Sequence, residues 1–227
     1  MAESRTAKDV LWVRPHERGI LPLEKFHVPK RLARAVRGDR FEVRVDTAFS
    51  EVIRGCAEAM PGRRETWING AIIDVFETMH RRGLAHSVET WREGRLVGGV
   101  YGLSLGAAFF AESKFSRETD ASKVALVHLA ARLKTGGYLL LDAQFPNPHL
   151  EQFGAVNIAE ERFQALLARA LEREGDFYYL GGAGTAGGGT SSGGVSGGGG
   201  PPGAATPASG ASGTSGWSVL QVITQTS

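Results

Sequence analysis

Between Pro29 and Gly83 the apolar positions fall into three stripes with helical spacing and one short alternation. Pro29 to Val36 predicts a short helix, with Pro suited to its start and Gly38 to the position just past its end. Phe41 to Val45 alternates and predicts a strand. Asp46 or Thr47 is then placed to cap a helix whose buried stripe is Phe49, Val52, Ile53 and Cys56. Asn69 caps another, which carries Ile72, Ile73, Phe76 and Met79 inward until Gly83. From there the period changes to two. His86 to Arg92, a Glu93-Gly94 turn, Arg95 to Leu103, a turn at Ser104 to Gly106, and Ala107 to Ala111 predict an antiparallel meander. Asp120 opens a helix with Val124, Val127 and Leu133 that closes at Gly136-Gly137. A strand at Tyr138 to Ala143 and a last helix from about Ala159 to Arg173 complete an α+β domain with a mainly antiparallel sheet.

Two of these strands break the pattern. Gly106 to Ala111 reads as a buried strand yet runs into Glu112, and Tyr138-Leu139-Leu140-Leu141 runs into Asp142 and then Gln144. A carboxylate at the end of a buried strand costs several kcal/mol unless a partner or solvent meets it. Two such strands predict the wall and floor of a cleft. Asp142 and Gln144, two apart on one strand, project from the same face.

Composition narrows the domain limits. The chain has 227 residues, 42% of them hydrophobic, enough for one good core. From Gly181 to Gly216 there are 16 of the 31 glycines, and no charged residue follows Asp176. Such a stretch cannot repay its ordering entropy and is expected to be a flexible tail over 181–227. Trp217 to Ile223 regains apolar character; disorder is expected there, with docking as an edge strand the alternative. The single cysteine, Cys56, excludes an internal disulfide framework and a multi-cysteine metal site. No apolar run of membrane-spanning length and no leader is seen, so a cytoplasmic protein is expected. The net charge is only +2, but residues 1–64 carry 14 Lys/Arg against 9 Asp/Glu. That end is suited to a polyanion.

Thr66-Trp67-Ile68, His86-Ser87-Val88-Glu89-Thr90-Trp91, Leu96-Val97-Gly98-Gly99-Val100-Tyr101-Gly102, Glu112-Ser113 with Phe115-Ser116-Arg117, Ala121-Ser122-Lys123 and Asp142-Ala143-Gln144 occur in one order. Together, from about Leu11 to Tyr179, they resemble bacterial leucyl/phenylalanyl-tRNA–protein transferase. The resemblance implies a fold related to the GCN5-type N-acetyltransferases. It implies transfer of Leu or Phe from Leu-tRNA or Phe-tRNA to the N-terminal Arg or Lys of a protein, marking that protein for degradation, with no cofactor and no metal. Residues 29–180 would be the catalytic domain and 1–28 the remnant of an N-terminal lobe.

The same resemblance assigns site residues. Asp142 and Gln144 become catalytic, Asp142 polarising the Gln144 amide so that its oxygen attracts a proton from the attacking amine. The bland reading is that Asp142 ends a strand and Gln144 bonds a loop. Glu112 becomes the carboxylate beside the cationic acceptor; an ion pair with Arg117 or Lys123 is the alternative. Val100, Phe109, Leu126, Leu129 and Leu141 match the pocket for the transferred side chain, where core packing is the competing role. Trp67 matches a tryptophan that stacks on the terminal adenosine, though a Trp before a helix cap is also a packing residue. Lys30, Arg34 and Arg37 share one helix face and match a tRNA-contacting helix, against a merely solvated basic face. His86 and His149 match family positions without assigned chemistry.

Three departures stand out. The family's Gly-Ile-Phe-Pro-like lobe is expected ahead of Leu11-Trp12, and this chain begins at about that point. The family's Gly-Glu-Ser-Met-Phe-Ser reads Ala111-Glu112-Ser113-Lys114-Phe115-Ser116, so that an ammonium replaces a pocket methionine and is placed to pair with Glu112 or to admit another amino acid. The glycine-rich tail is the third. Two other functions fit parts of the pattern. An acetyl-CoA-dependent acetyltransferase shares the fold, but Ser116-Arg117-Glu118-Thr119 lacks the glycine of a pyrophosphate loop. A non-catalytic tRNA-binding protein fits the basic helix alone.

Overall fold

A computed structural model of the chain describes residues 13–58, 66–145, 148–182 and 214–224. The Leu11-Trp12 match and most of the glycine-rich stretch lie outside the described residues. Seven strands form one sheet: β1 (Glu17–Ile20), β2 (Glu42–Val45), β3 (Ala85–Arg92), β4 (Arg95–Leu105), β5 (Ala108–Ser116), β6 (Leu140–Gln144) and β7 (Val156–Ala159). The helices are α1 (Lys30–Arg37), α2 (Phe49–Ala57), α3 (Gly70–Arg81), α4 (Ala121–Thr135), the single turn α5 (Pro148–Glu151), α6 (Glu160–Leu171) and α7 (Gly216–Thr224). The strand order is β2-β3-β4-β5-β6-β1-β7, and every pairing is antiparallel except β5 with β6. The α+β sheet expected from the sequence is thus present, with β1 and β7 added at one end.

Helices cover both faces. Gly98 and Gly99 show why two of them come so close: a Cβ on Gly98 would strike Ala121 and Ser122 of α4, and one on Gly99 would press on Val52 of α2. Neighbouring strand residues point to opposite faces, so α4 and α2 sandwich β4. Leu32, Val36, Val100, Phe109, Leu126, Leu129 and Leu141 pack together on the α4 side, and Val52, Ile53, Cys56, Ile72, Tyr101 and Phe115 on the α2–α3 side. A third cluster, with Ala108, Leu140, Ile158 and Phe163, seats α6.

Caps hold where the sequence marks them locally and fail where a distant group intervenes. Asn69 Oδ1 accepts the Ile72 N–H at 2.9 Å, as expected. Asp46 and Thr47 do not cap α2. The buried Glu89 of β3 does so instead, accepting the N–H groups of Thr47 and Ala48 at 2.9 Å each. Asp46 turns the other way, accepting the Ser87 N–H and binding His86 Nδ1 at 2.7 Å each, with the Tyr178 hydroxyl as a third donor. Burial pushes the Asp46 carboxyl up, but these hydrogen bonds outweigh it and hold it below its ordinary value.

The C-terminal segment departs from expectation. Gly216–Thr224 is neither disordered nor an edge strand but a helix, with Val219, Leu220 and Ile223 buried in the α4-side cluster. An apolar run this short fits helix or strand equally well by pattern, and the apolar surface of α1 and α4 favours the helix.

Candidate active site

The site lies where the sheet opens. β5 and β6 pair only at Ala108↔Leu140, Phe109↔Leu141 and Phe110↔Asp142. Beyond these, β5 continues along β4 alone and β6 along β1. Two irregularities flank the split. Gly102 faces Ala111 while Tyr101 faces Ser113, which leaves Glu112 as the extra residue in β5. Gly19 faces Gln144 while Ile20 faces Asp142, which leaves Ala143 extra in β6. A bulge bends its strand and re-aims a side chain. Gln144 carries the strain of this bend, with φ +68.

Three of the expected residues meet here. Gln144 Nε2 donates to Glu112 Oε2 at 2.7 Å, and the Gln144 backbone N–H donates to Asp142 Oδ1 at 2.8 Å. The contact differs from the one expected: Asp142 holds the Gln144 backbone, and Glu112 holds its amide. Donating to a carboxylate polarises the amide and enriches its oxygen, Oε1, which accepts no hydrogen bond among the described residues. Neither ion pair proposed for Glu112 forms. Arg117 binds Glu58 at 2.7 Å and the Leu96 carbonyl at 3.0 Å, while Lys123 binds Asp120 at 3.2 Å.

Asp142 is fully buried, and its counter-ion is a residue the sequence reading missed. Arg18 of β1 grips both carboxylate oxygens, Nε at 3.3 Å from Oδ1 and an Nη on Oδ2. Its guanidinium rests over the Phe163 ring at 4.5 Å. No local signal marks Arg18, because its partner lies 124 residues away. Burial pushes the Asp142 carboxyl up, and Arg18 recovers part of that rise. Burial likewise pushes Glu112 up; the Gln144 hydrogen bond opposes it and the Asp142 charge adds to it.

The five pocket candidates are all buried in the α4-side cluster: Phe109 and Leu141 face each other at the closed end of the split, Val100 lies on β4 opposite Lys114, and Leu126 and Leu129 lie on α4. Phe177, also unanticipated, stacks on Phe109 at 5.6 Å and on His86 at 4.1 Å. Trp67 is half-buried against the α2–α3 cluster and is not brought together with α1. Lys30, Arg34 and Arg37 are all exposed on α1, and none of them makes an ion pair among the described residues.

Lys114 does not pair with Glu112. It is partly buried, its amine has no hydrogen bond or ion pair among the described residues, and burial pushes its pKa below the ordinary 10.5. A lowered lysine favours the folded state only above its ordinary pKa, and that contribution is lost as pH falls through the folded value. Lys114→Met is therefore expected to raise the melting temperature at neutral pH, by about 2–4 °C for each kcal/mol relieved. The gain should shrink as pH approaches 10.5. Thermal melts of both proteins across that range check this, and an equal melting temperature at neutral pH contradicts it.

Among the described residues no group of three or more His, Cys, Asp or Glu is placed to hold a metal, and no helix is long and apolar enough to cross a membrane. The family model for leucyl/phenylalanyl-tRNA protein transferase matches residues 20–168. The leucyl/phenylalanyl-tRNA–protein transferase of Paramagnetospirillum magneticum is 60% identical over 171 residues, 75% of this chain and 82% of that one. The enzyme of the same name from Phenylobacterium zucineum is 56% identical over 183 residues, 81% of this chain and 83% of its own. That of Caulobacter vibrioides is 55% identical over 185 residues, covering 82% and 85%.

Proposed function

Since the chain belongs to the leucyl/phenylalanyl-tRNA protein transferase family, we propose that Asp142, Gln144 and Glu112 carry an aminoacyl transfer from tRNA to a protein N-terminus. The donor is Leu-tRNA or Phe-tRNA, the acceptor a protein that begins with Arg or Lys, and the compartment the cytoplasm. The observation that carries the reading is the pairing of the Gln144 amide with the Glu112 carboxylate across the β5–β6 split. A sheet opened between two parallel strands also suits a GCN5-type fold, with residues 29–180 as the catalytic domain.

The chemistry asks little of a base. The aminoacyl ester is activated, and an α-amine with pKa near 8 is roughly a tenth neutral at pH 7. Its nitrogen attacks the ester carbonyl, the new C–N bond forms, the C–O bond to the tRNA ribose breaks, and the proton leaves nitrogen for the departing ribose oxygen. Gln144 Oε1, enriched by Glu112, accepts a hydrogen bond from the amine as positive charge develops on it. Glu112 also supplies the negative charge that a cationic acceptor seeks. Asp142, clamped by Arg18, holds the backbone of Gln144 in its bent conformation and so positions the amide. Holding amine and carbonyl together is worth up to ~7–11 kcal/mol, more than any group here supplies as a base. Val100, Phe109, Leu126, Leu129 and Leu141 select an apolar transferred side chain. Lys30, Arg34 and Arg37 bind tRNA phosphates, and Trp67 stacks on the terminal adenosine.

Labelled Leu-tRNA incubated with the protein and peptides differing only at their first residue tests this. Label is expected on the Arg- and Lys-initiated peptides and not on an Ala-initiated one. Tight tRNA binding without transfer to any peptide would replace this reading with a non-catalytic RNA-binding protein.

A further inference from the structure

The C-terminal helix α7 lies outside residues 20–168, the stretch that the family model covers. Its seat is nonetheless specific. Val219, Leu220 and Ile223 are buried, the Asp39 carboxylate accepts the Gly216 N–H at 2.7 Å, and Lys134 Nζ donates to the Ile223 carbonyl at 3.5 Å. A carboxylate at the start of a helix and an ammonium at its end both suit the helix dipole. Gly216 is needed where it stands, because a Cβ there would overlap the Val36 carbonyl. Trp217, the next residue, is held by these contacts and yet left 58% exposed.

That indole stands on the rim of a groove of about 610 Å³ between α7 and the body, lined from the body side by Lys25, His27 and Arg37 among others. The volume is that of a small-molecule site. α7 carries no charged residue. The acid in the groove lining, Glu24, lies 3.8 Å from Lys134, which offsets its charge. Arg37 also belongs to the exposed basic face of α1, so the groove continues that face. An exposed aromatic ring on an anchored helix, beside cations that make no ion pair among the described residues, is the arrangement that binds a nucleobase with its phosphate. An apolar peptide segment would instead strip water from Lys25 and Arg37 without replacing it.

We propose that this groove is a nucleotide subsite for the donor tRNA, in which an unpaired base stacks on Trp217 and its phosphate is held by Arg37 and Lys25. The proposal rests on the reading of α1 as the tRNA-binding helix. It makes α7 a working part of the RNA interface.

The test measures binding of the full chain to tRNA and to a blunt, fully paired RNA duplex at fixed salt. Trp217→Ala is expected to weaken tRNA binding about tenfold, whereas Trp217→Phe, which keeps a stacking ring, should stay within about threefold of the parent. Neither change should alter binding of the blunt duplex, which offers no unpaired base. Because Trp217 is exposed, both variants should melt with the parent. Trp217→Ala binding tRNA as tightly as the parent overturns the proposal, as does an equal loss on the duplex. Arg34→Ala separates the two levels. If it weakens tRNA binding and flattens the salt dependence while Trp217→Ala does nothing, only the groove assignment fails; if Arg34→Ala also does nothing, the tRNA role of α1 fails with it.

Discussion

Gln144→Ala is expected to lower aminoacyl transfer about a hundredfold while leaving tRNA affinity within about twofold, the usual size of the effect when one preorganised polar group is removed from an acyl-transfer site. The substitution takes away the amide oxygen offered to the attacking amine. It also removes the donor that steadies Glu112, whose carboxyl then rises further, because the hydrogen bond that opposed burial is gone. Gln144→Glu sharpens the test. It sets a second carboxylate against Glu112, and two such groups in contact share one proton at low pH. That variant should retain part of its activity in mild acid, where the shared proton restores a hydrogen bond, and lose it as pH rises. Transfer is measured with saturating Leu-tRNA and an Arg-initiated peptide, and affinity separately with deacylated tRNA. Full activity in Gln144→Ala would remove the proposed mechanism; a parallel loss of tRNA affinity would make Gln144 a binding residue instead.

Arg18→Ala is expected to destabilise the fold by about 3–5 kcal/mol, the cost of leaving a buried charge without its partner. For a domain of this size that is a fall of roughly 6–20 °C in melting temperature. Asp142 is fully buried and Arg18 is its ion-pair partner. The double variant Arg18→Ala/Asp142→Asn should melt above Arg18→Ala, since no charge is then stranded. The pH dependence has a definite sign. With Asp142 raised above its unfolded value, its favourable contribution is complete below about pH 3.9, the unfolded value, and is lost as pH rises through the folded value. Removing Arg18 widens that window. The gap between Arg18→Ala and the parent should therefore be small in acid and grow toward neutrality. A gap independent of pH would mean that Arg18 acts through its packing on Phe163. In the transfer assay Arg18→Ala should lose activity at temperatures where it is still folded, because the Gln144 backbone is no longer held.

Much of the scaffold was legible because it depends on neighbours in sequence. The stripes of α2 and α3, the Asn69 cap and the turn at Glu93-Gly94 are local, and each is found where expected. The α4 stripe was read too narrowly. Twelve consecutive-or-near residues from Ala121 to Leu133 are buried, so that helix has no polar face for a period to reveal. Strands β1 and β7 do not alternate: β1 buries Gly19 and Ile20 side by side, and β7 buries Ile158 alone. They were missed together with Arg18, which β1 carries.

The candidate site divides along the same line. By itself the sequence determined the two apolar strands that lead into Glu112 and into Asp142 and Gln144, though β5 runs on past Glu112 to Ser116; it also determined the basic face of α1 and the order of motifs that marks the family, all of which follow from residue type and spacing. Only the tertiary structure decided which group serves which. Glu112 rather than Asp142 holds the Gln144 amide, Arg18 neutralises Asp142, Glu89 rather than Asp46 caps α2, and Gly216–Thr224 folds as a helix against α1 and α4. In each case a buried polar or apolar group must be satisfied, and the chain supplies its partner from another strand or helix, often far off in sequence. Spacing along the chain cannot name that partner, because burial creates the demand only once the sheet and helices have packed.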